Sequence, residues 1–403
     1  GYVSLICGGP NFGMKQNPTR HIAISLEMEW AYKRHLEVFA GCQKYADEAG
    51  WNCQIHPAVD RTPSLDGNSC FDGIIARATP AIANFAKKTN TPLVNVWLNS
   101  PVKDLPGVFP DFTRSGEMGA EHLLSRGFSH FGYLGYKNDL DARRQCEGFT
   151  KTIADHGHRC SVQRFSRSRL SGSAPGWEAF VAGIEDWMKS WEMPIGIMVS
   201  HDLFARYFMD ICRSNNLNIS QDVALVGASN EPALCESPPP TLTSIDMGFA
   251  QIGFQAAGML ERLMIGEDLT NLTELVPPSE LVPRQSTDLY ATTDPTVSRA
   301  LRFMAENSHQ NIAVMDVVRA VATNRRGLER RFKASLGKSI SGEITRLRLE
   351  RAKRHLAETN STFKEVAEAS GFRNADHFNK VFTRIEGLPP SRYRDKHQQL
   401  FAK

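Results

Sequence analysis

The chain has 403 residues, 41% of them hydrophobic and 23% charged, with a formal net charge of +3. That length predicts two or three domains, and that balance excludes an intrinsically disordered chain. The small net charge hides an asymmetry: from Ala291 onward 22 Lys and Arg stand against 12 Asp and Glu, whereas everything before is acidic. A basic excess confined to one end is the footprint of a polyanion partner.

Residues 1–20 hold Gly8, Gly9, Pro10, Gly13 and Pro18 without a sustained period, which predicts an irregular extension. From His21 strands and helices alternate. HIAISL is a buried strand, Tyr32–Ala49 an amphipathic helix stopped by Gly50, and NCQIH, FDGIIA and PLVNVW are strands, with a helix over Ala81–Lys88. A helix over Thr113–Ser125 leads to the strand HFGYLG. Helices follow over Ala142–His156, Gly176–Lys189, Phe204–Asn215 and Gln251–Ile265, with the strands IGIMVS and VALVG between them. Such alternation predicts a parallel, doubly wound sheet covered on both faces. About 270 residues of it suit two lobes better than one sheet.

The end of the chain follows a different plan. In TFKEVAEASGFRNADHFNKVFTRIEGLPPSRYR, Phe363, Val366 and Ala367 share a helix face, Gly371 supplies a turn and Asn374 an N-cap. A second helix buries Phe378, Val381 and Phe382 and ends at Gly387 before Pro389 and Pro390. Two short helices around a tight turn form a helix-turn-helix, whose second helix can enter a major groove. Fifty residues earlier the plan recurs. Asn324, Leu328, Phe332 and Gly337 match Asn374, Phe378, Phe382 and Gly387, although Val321 stands where Gly371 stands. Ser341–Ala357 reads as a basic helix joining the copies.

The ending ASGF…HFNKVFTRIEGLPPSRYR resembles the DNA-binding domain of AraC-type transcription regulators, over about residues 295–398. The resemblance implies that Asn324, Arg325, Arg326, Glu329 and Arg330 of the first copy read double-stranded operator DNA. It implies the same of Asn374, Asp376, His377, Asn379 and Lys380 in the second. Gly327 departs from the usual helix-friendly residue, at about 1 kcal/mol of helix stability.

The first part resembles the periplasmic-binding-protein-like effector domain of LacI-type regulators. The stretches that carry this are GEMGAEHLLSRGFSHFGYLG and DVALVGASNEP…PPPTLTSIDMGFAQIGFQAAGMLERL, in that order. The expected fold is therefore a two-lobed α/β effector domain over 21–285, a linker over 286–294 near RQSTDLYATTDPTV, and an all-α double helix-turn-helix domain over 295–398. The combination implies a sugar-responsive regulator of pentose genes, with D-xylose as first ligand and arabinose, a hexose or a uronate as alternatives. It further implies a homodimer, and RNA polymerase as partner if the protein activates.

Ligands of this fold sit at strand C-termini. Asp202, one residue beyond the His201 that follows IGIMVS, suits sugar hydroxyls, although its place also suits a helix cap. Asn230 after VALVGAS offers donor and acceptor together, or serves the turn; the residue before it is Ser229, where similar regulators carry an acid. Arg144 stands one place from the family's usual Arg, at which this chain has Gln145; a solvated helix face is the other reading. Tyr32 and Arg34 match an Ala-Tyr-x-Arg motif, with Tyr32 also placed to pack under its helix. Trp30 and Trp97 follow strand ends, where a ring could stack on a pyranose or simply pack.

The chain shows no G-x-G-x-x-G, Walker A loop, G-x-S-x-G elbow or metal-spaced His/Glu set, which predicts a protein that is not an enzyme. All eight cysteines precede residue 236 without a Cys-x-x-Cys pair, and His156 and His158 lack partner cysteines, so neither metal nor cofactor is expected. No apolar run is long enough to span a bilayer and the first residues lack a signal-peptide core, which predicts a cytoplasmic location and no membrane partner.

Overall fold

The computed structural model describes residues 19–27, 34–62, 68–166, 174–288, 292 and 294–398. Residues 1–18, Trp30, Tyr32 and part of the expected linker lie outside them.

Two six-stranded sheets form the first two thirds. Runs such as IIA and VALVGA are apolar on both faces and β-branched, which suits strands covered by helices on either side. The first sheet has the order β11-β5-β4-β3-β1-β2, with every pairing parallel. Its strands are β1 (His21–Ser25), β2 (Asn52–Ile55), β3 (Gly73–Ala76), β4 (Leu93–Asn95), β5 (Gly107–Pro110) and β11 (Thr273–Val276). The second sheet runs β12-β10-β9-β8-β6-β7 and is parallel except for the β10–β12 pair. It comprises β6 (His130–Tyr136), β7 (Cys160–Phe165), β8 (Ile195–Val199), β9 (Val223–Ala228), β10 (Thr243–Asp246) and β12 (Glu280–Val282). The chain therefore crosses between lobes after β5, after β10 and after β11. Three crossings leave a cleft at the strand C-termini of both sheets.

Helices α1 (His35–Ala49) and α2 (Pro80–Lys88) cover the first sheet; α3 (Phe112–Ser125), α4 (Leu140–Asp155), α5 (Ala174–Met188), α6 (Asp202–Ser214) and the short α7 (Pro232–Cys235) belong to the second. Helix α8 (Phe249–Met264) returns to the first lobe against α1. Each lobe has one pair of helices in unusually close contact. A Cβ at Gly116 would stand 2.0 Å from Gln145 O, and one at Gly148 2.1 Å from Thr113 O. The α3–α4 crossing thus requires bare backbone on both sides. Gly41 and Gly253 do the same for α1 and α8.

Helix α1 starts three residues later than its apolar pattern suggests. Arg34 sits before it with φ 50°, and this left-handed residue cannot continue a helix.

The last third is helical: α9 (Pro295–Asn307), α10 (Val314–Ala320), α11 (Arg325–Leu336), α12 (Ile340–Glu358), α13 (Phe363–Ala369), α14 (Ala375–Glu386) and α15 (Pro390–Gln398). Helix α12 spans 19 residues, about 28 Å. Its first half gives Ile340, Ile344 and Leu347 to one core with Leu328 and Phe332, and its second half gives Leu349, Ala352 and Leu356 to another with Phe378 and Phe382. One rod therefore carries two readers.

The two copies differ in their turns. In the second the left-handed residue is Gly371 (φ 74°); in the first it is Ala322 (φ 50°), not Val321, which keeps an ordinary negative φ. The first turn is one residue shorter, so matching Val321 to Gly371 places that residue one position early.

Candidate ligand cleft and nucleic-acid interface

Between the lobes lies a cavity of about 540 Å³, within the range of small-molecule sites. Its walls come from strand ends, where the backbone stops pairing and side chains turn to the cleft. Arg77 follows β3 and Trp97 follows β4. Across from them stand Tyr136 at the end of β6, His201 after β8 and Ser229 after β9. Asn99, Lys137, Asp139, Asp141 and Gln145 add polar groups, while Val38, Phe249 and Ile252 add apolar surface. Hydrogen-bonding groups interleaved with aromatic faces match the hydroxyls and C–H faces of a carbohydrate.

Trp97 is the sequence-predicted residue that the structure places in this wall. The Arg77 guanidinium covers one face of its ring at 3.6 Å from the centroid and also lies 3.6 Å from Glu27. The other described candidates stand outside the lining. Asp202 is 1% exposed, and its carboxylate accepts hydrogen bonds from Ser244 Oγ (2.6 Å) and from the Glu231 N–H (2.8 Å). Burial pushes its carboxyl up to about 6, against the opposing pull of these hydrogen bonds. It does not cap α6; His201 does, accepting from the Phe204 N–H at 3.4 Å. Asn230 Oδ1 accepts from Arg284 Nη2 at 2.8 Å, and its N–H donates to Ser244 Oγ at 3.0 Å.

Arg34 pairs with Glu37 and reaches across to Glu231 of the other lobe. A second link between lobes is the Leu140 N–H donating to Asn99 Oδ1 at 2.7 Å. Arg144 is half-buried and outside the lining, while its neighbour Gln145 is fully buried in the wall. Gln145 Nε2 donates to Ser115 Oγ at 3.1 Å and its Oε1 accepts from Tyr133 OH at 2.9 Å. Sequence reasoning missed Arg77, Lys137, Asp139, Asp141, Gln145 and His201 as lining residues. Arg77 and Lys137 immediately follow a strand and His201 comes one residue later, and for these that position was the available signal.

In the helical domain, Leu328 and Phe332 pin one side of α11 to its core, and Phe378, Val381 and Phe382 pin α14. Arg325, Arg326, Glu329 and Arg330 are exposed, as are Asp376 and Lys380. Arg325 Nε donates to Glu329 Oε1 at 2.8 Å. Asn324 and Asn374 spend their side-chain oxygens on N-caps, accepting from Gly327 N–H (2.7 Å) and His377 N–H (2.8 Å). Gly327 therefore lies in the capped first turn of α11. His377 and Asn379 are half-buried. Burial, then the charges of Arg373, Arg348 and Arg384, hold His377 below its usual range.

Residues 120–287 match the family model of a periplasmic binding protein-like domain, and residues 317–396 that of a helix-turn-helix domain. The xylose operon regulatory protein of Escherichia coli (strain K12) is 27% identical over 282 residues, covering 69% of this chain and 71% of that protein. Its counterpart in Haemophilus influenzae is 25% identical over 381 residues, 93% of this chain and 97% of that one. This chain is homologous to the xylose operon regulatory proteins. It joins a periplasmic-binding-protein-like domain to an AraC-type helix-turn-helix domain. The solved structure of the xylose-binding transcription activator xylR shares the fold, with a TM-score of 0.62 and 24% identity over 94% of this chain and 99% of that one. The complex of the transcriptional regulator CelR with cellobiose is similar in fold, with a TM-score of 0.53 and 16% identity over 67% of this chain and 86% of that one.

Proposed function

We propose that this chain is a cytoplasmic, sugar-responsive transcription regulator that binds operator DNA in a sequence-specific way and has no catalytic role. One observation carries the reading: a cleft with alternating polar and aromatic lining and two helical readers in a basic domain lie in a single chain. D-Xylose is the first ligand to test, because the homologues are named for the xylose operon. Activation of pentose genes through RNA polymerase, by a homodimer, is the corresponding regulatory role. A uronate is the second candidate, since Arg77 and Lys137 line the cleft and could receive a carboxylate. Asp139 and Asp141 face the same space and oppose it.

Trp97, Gln145, His201 and Ser229 are the residues we assign to ligand contact. Asp202, Asn230 and Arg34 then act by holding the loop and lobes that frame the cleft, with Arg144 at its periphery. Arg326, Arg330, Asp376 and Lys380 are assigned to base and phosphate contacts, helped by Arg325, Glu329, His377 and Asn379. Asn324 and Asn374 orient the helices that carry them.

Thermal melting of the purified chain against pentoses, hexoses and uronic acids tests the reading, because a ligand that binds only the folded state raises the midpoint. A shift with D-xylose is expected. A shift with another sugar alone replaces the ligand; no shift with any of them overturns the effector half.

A further inference from the structure

The chain leaves the second lobe through residues 284–288, and this short segment touches both functional ends of the molecule. Arg284 is 5% exposed. Its Nη2 holds Asn230 Oδ1 at 2.8 Å and its Nη1 donates to Leu242 O at 2.9 Å. Asn230 follows Ser229, which lines the cleft, and both residues have positive φ, 51° and 108°. A loop so bent has few other conformations, so its shape and the position of Arg284 are fixed together.

The backbone of the segment is tied to β10. The Arg284 N–H donates to Thr243 Oγ1 at 2.8 Å, and Thr243 Oγ1 donates to Arg284 O at 3.0 Å. Thr287 Oγ1 lies 2.8 Å from Thr243 Oγ1 and 2.8 Å from His122 Nε2 on α3. One direction of donation satisfies the whole chain: His122 Nε2–H to Thr287, Thr287 to Thr243, and Thr243 to Arg284 O. This needs a proton on His122 Nε2. Burial and then the nearby Arg126 charge push His122 well below its ordinary range, which favours the neutral ring, and its Nε2–H tautomer serves.

The path then reaches the DNA-binding domain. Asp288 O accepts from Arg126 Nη1 at 3.5 Å, and Arg126 Nη2 lies 3.6 Å from Glu350 Oε1 on α12. Glu350 also pairs with Arg346 at 2.6 Å, and Arg346 with the buried Glu343 at 2.6 Å. Burial raises the Glu350 carboxyl, but the charges of Arg346 and Arg126 outweigh it and hold the group down at about 2. Both readers are cored on α12, so a displacement at Glu350 moves them together.

We propose that Arg284–Asp288 couples the cleft loop to the DNA readers, with the Arg126–Glu350 pair as its contact on α12. This rests on the sugar-responsive reading above. Coupling is a free energy shared by two sites, so it must act in both directions.

The test uses the full chain, D-xylose, and a labelled DNA duplex obtained by in vitro selection with the same protein. Glu350→Gln removes the charge at constant shape, and Thr287→Val removes the hydroxyl. Both are expected to keep D-xylose affinity within about twofold, and to lose the sugar-induced change in DNA affinity, about fivefold or more in the parent. The D-xylose-induced change in amide exchange over residues 340–358 should vanish with it, and Thr287→Ser should restore both. Should Glu350→Gln fail to fold, the Thr287 pair carries the test. A full sugar response in Thr287→Val overturns the proposal alone. A parent that binds D-xylose without any change in DNA affinity overturns the functional reading and the coupling with it; where the melting panel selects another sugar, that sugar takes the place of D-xylose in every arm.

Discussion

Arg34 of the first lobe and Glu231 of the second form an ion pair that joins the two lobes. The Arg34 side chain is 11% exposed and the Glu231 side chain 24%, so water screens the pair only partly. Glu231 owes its place to Asp202, whose carboxylate receives its N–H. Removing the charge with Glu231→Gln should favour the open cleft and weaken sugar binding by about 1 kcal/mol, roughly fivefold. Calorimetric titration checks this. DNA binding without sugar should not change, and unchanged sugar affinity would remove the pair from the closure mechanism.

Asp202 links the same loop to pH. Its carboxyl is raised to about 6 in the folded chain against an ordinary value near 4. Between those values the folded state holds more protons than the unfolded one, so stability falls as pH rises from about 4 to about 6. Asp202→Asn removes this slope. The stability difference between the parent and this variant should shift by about 2–3 kcal/mol in the parent's favour on going from pH 7 to pH 4. Urea melts at both values measure it, and parallel pH profiles would refute it.

Trp97 presents an aromatic wall, and the Arg77 guanidinium covers one face of its ring at 3.6 Å from the centroid. Trp97→Ala removes that wall and frees the guanidinium it orients. Sugar affinity should drop by about 1–2 kcal/mol, with a smaller loss for Trp97→Phe, which keeps a ring. Equal affinity in all three proteins would place the ligand elsewhere in the cleft.

Much of this architecture could be read before any coordinates. Apolar runs such as those of β1 and β8 announce buried parallel strands, and the paired Asn324 and Asn374 announce two capped helices. Polar edge strands escaped: β7 leaves most of its residues exposed or half-exposed, so no apolar run marks it. Strands β11 and β12 pair with neighbours distant in sequence, which no local pattern reveals. In the cleft the limit was direction. A carboxylate just after a strand can face the ligand or the adjoining loop, and the packing of Ser244 and Glu231 around Asp202 decided for the loop. Likewise one helical position separates Arg144 from Gln145, about 100° of rotation, enough to turn one out of the wall and the other into it.

On the DNA side, Arg326 and Arg330 are exposed and four apart on α11, away from Leu328 and Phe332. Alanine at either should weaken operator binding by about 1–3 kcal/mol if it reads a base, and relax specificity at one position. A phosphate contact would instead weaken all sequences alike and lower the salt slope by about one. Fluorescence anisotropy over a salt series separates the two. A loss below a few tenths of a kcal/mol at both residues would turn this face of α11 away from DNA.

Two turn glycines separate conformational strain from crowding. Gly337 has φ 67° and a Cβ there would meet nothing within 4 Å, whereas Gly371 has φ 74° and its Cβ would stand 2.5 Å from Gln310 O and 2.6 Å from Ser308 O. Gly337→Ala therefore carries only the left-handed penalty of about 1 kcal/mol. Gly371→Ala adds a clash with two carbonyls between α9 and α10, which can be relieved only by moving the second reader off the first. Its cost should exceed about 3 kcal/mol. Chemical denaturation of the two variants, followed by the loss of helix, should show a small and a large shift in that order, with D-xylose affinity preserved in both. Equal shifts would mean that the α9–α10 loop yields freely and does not fix the second reader.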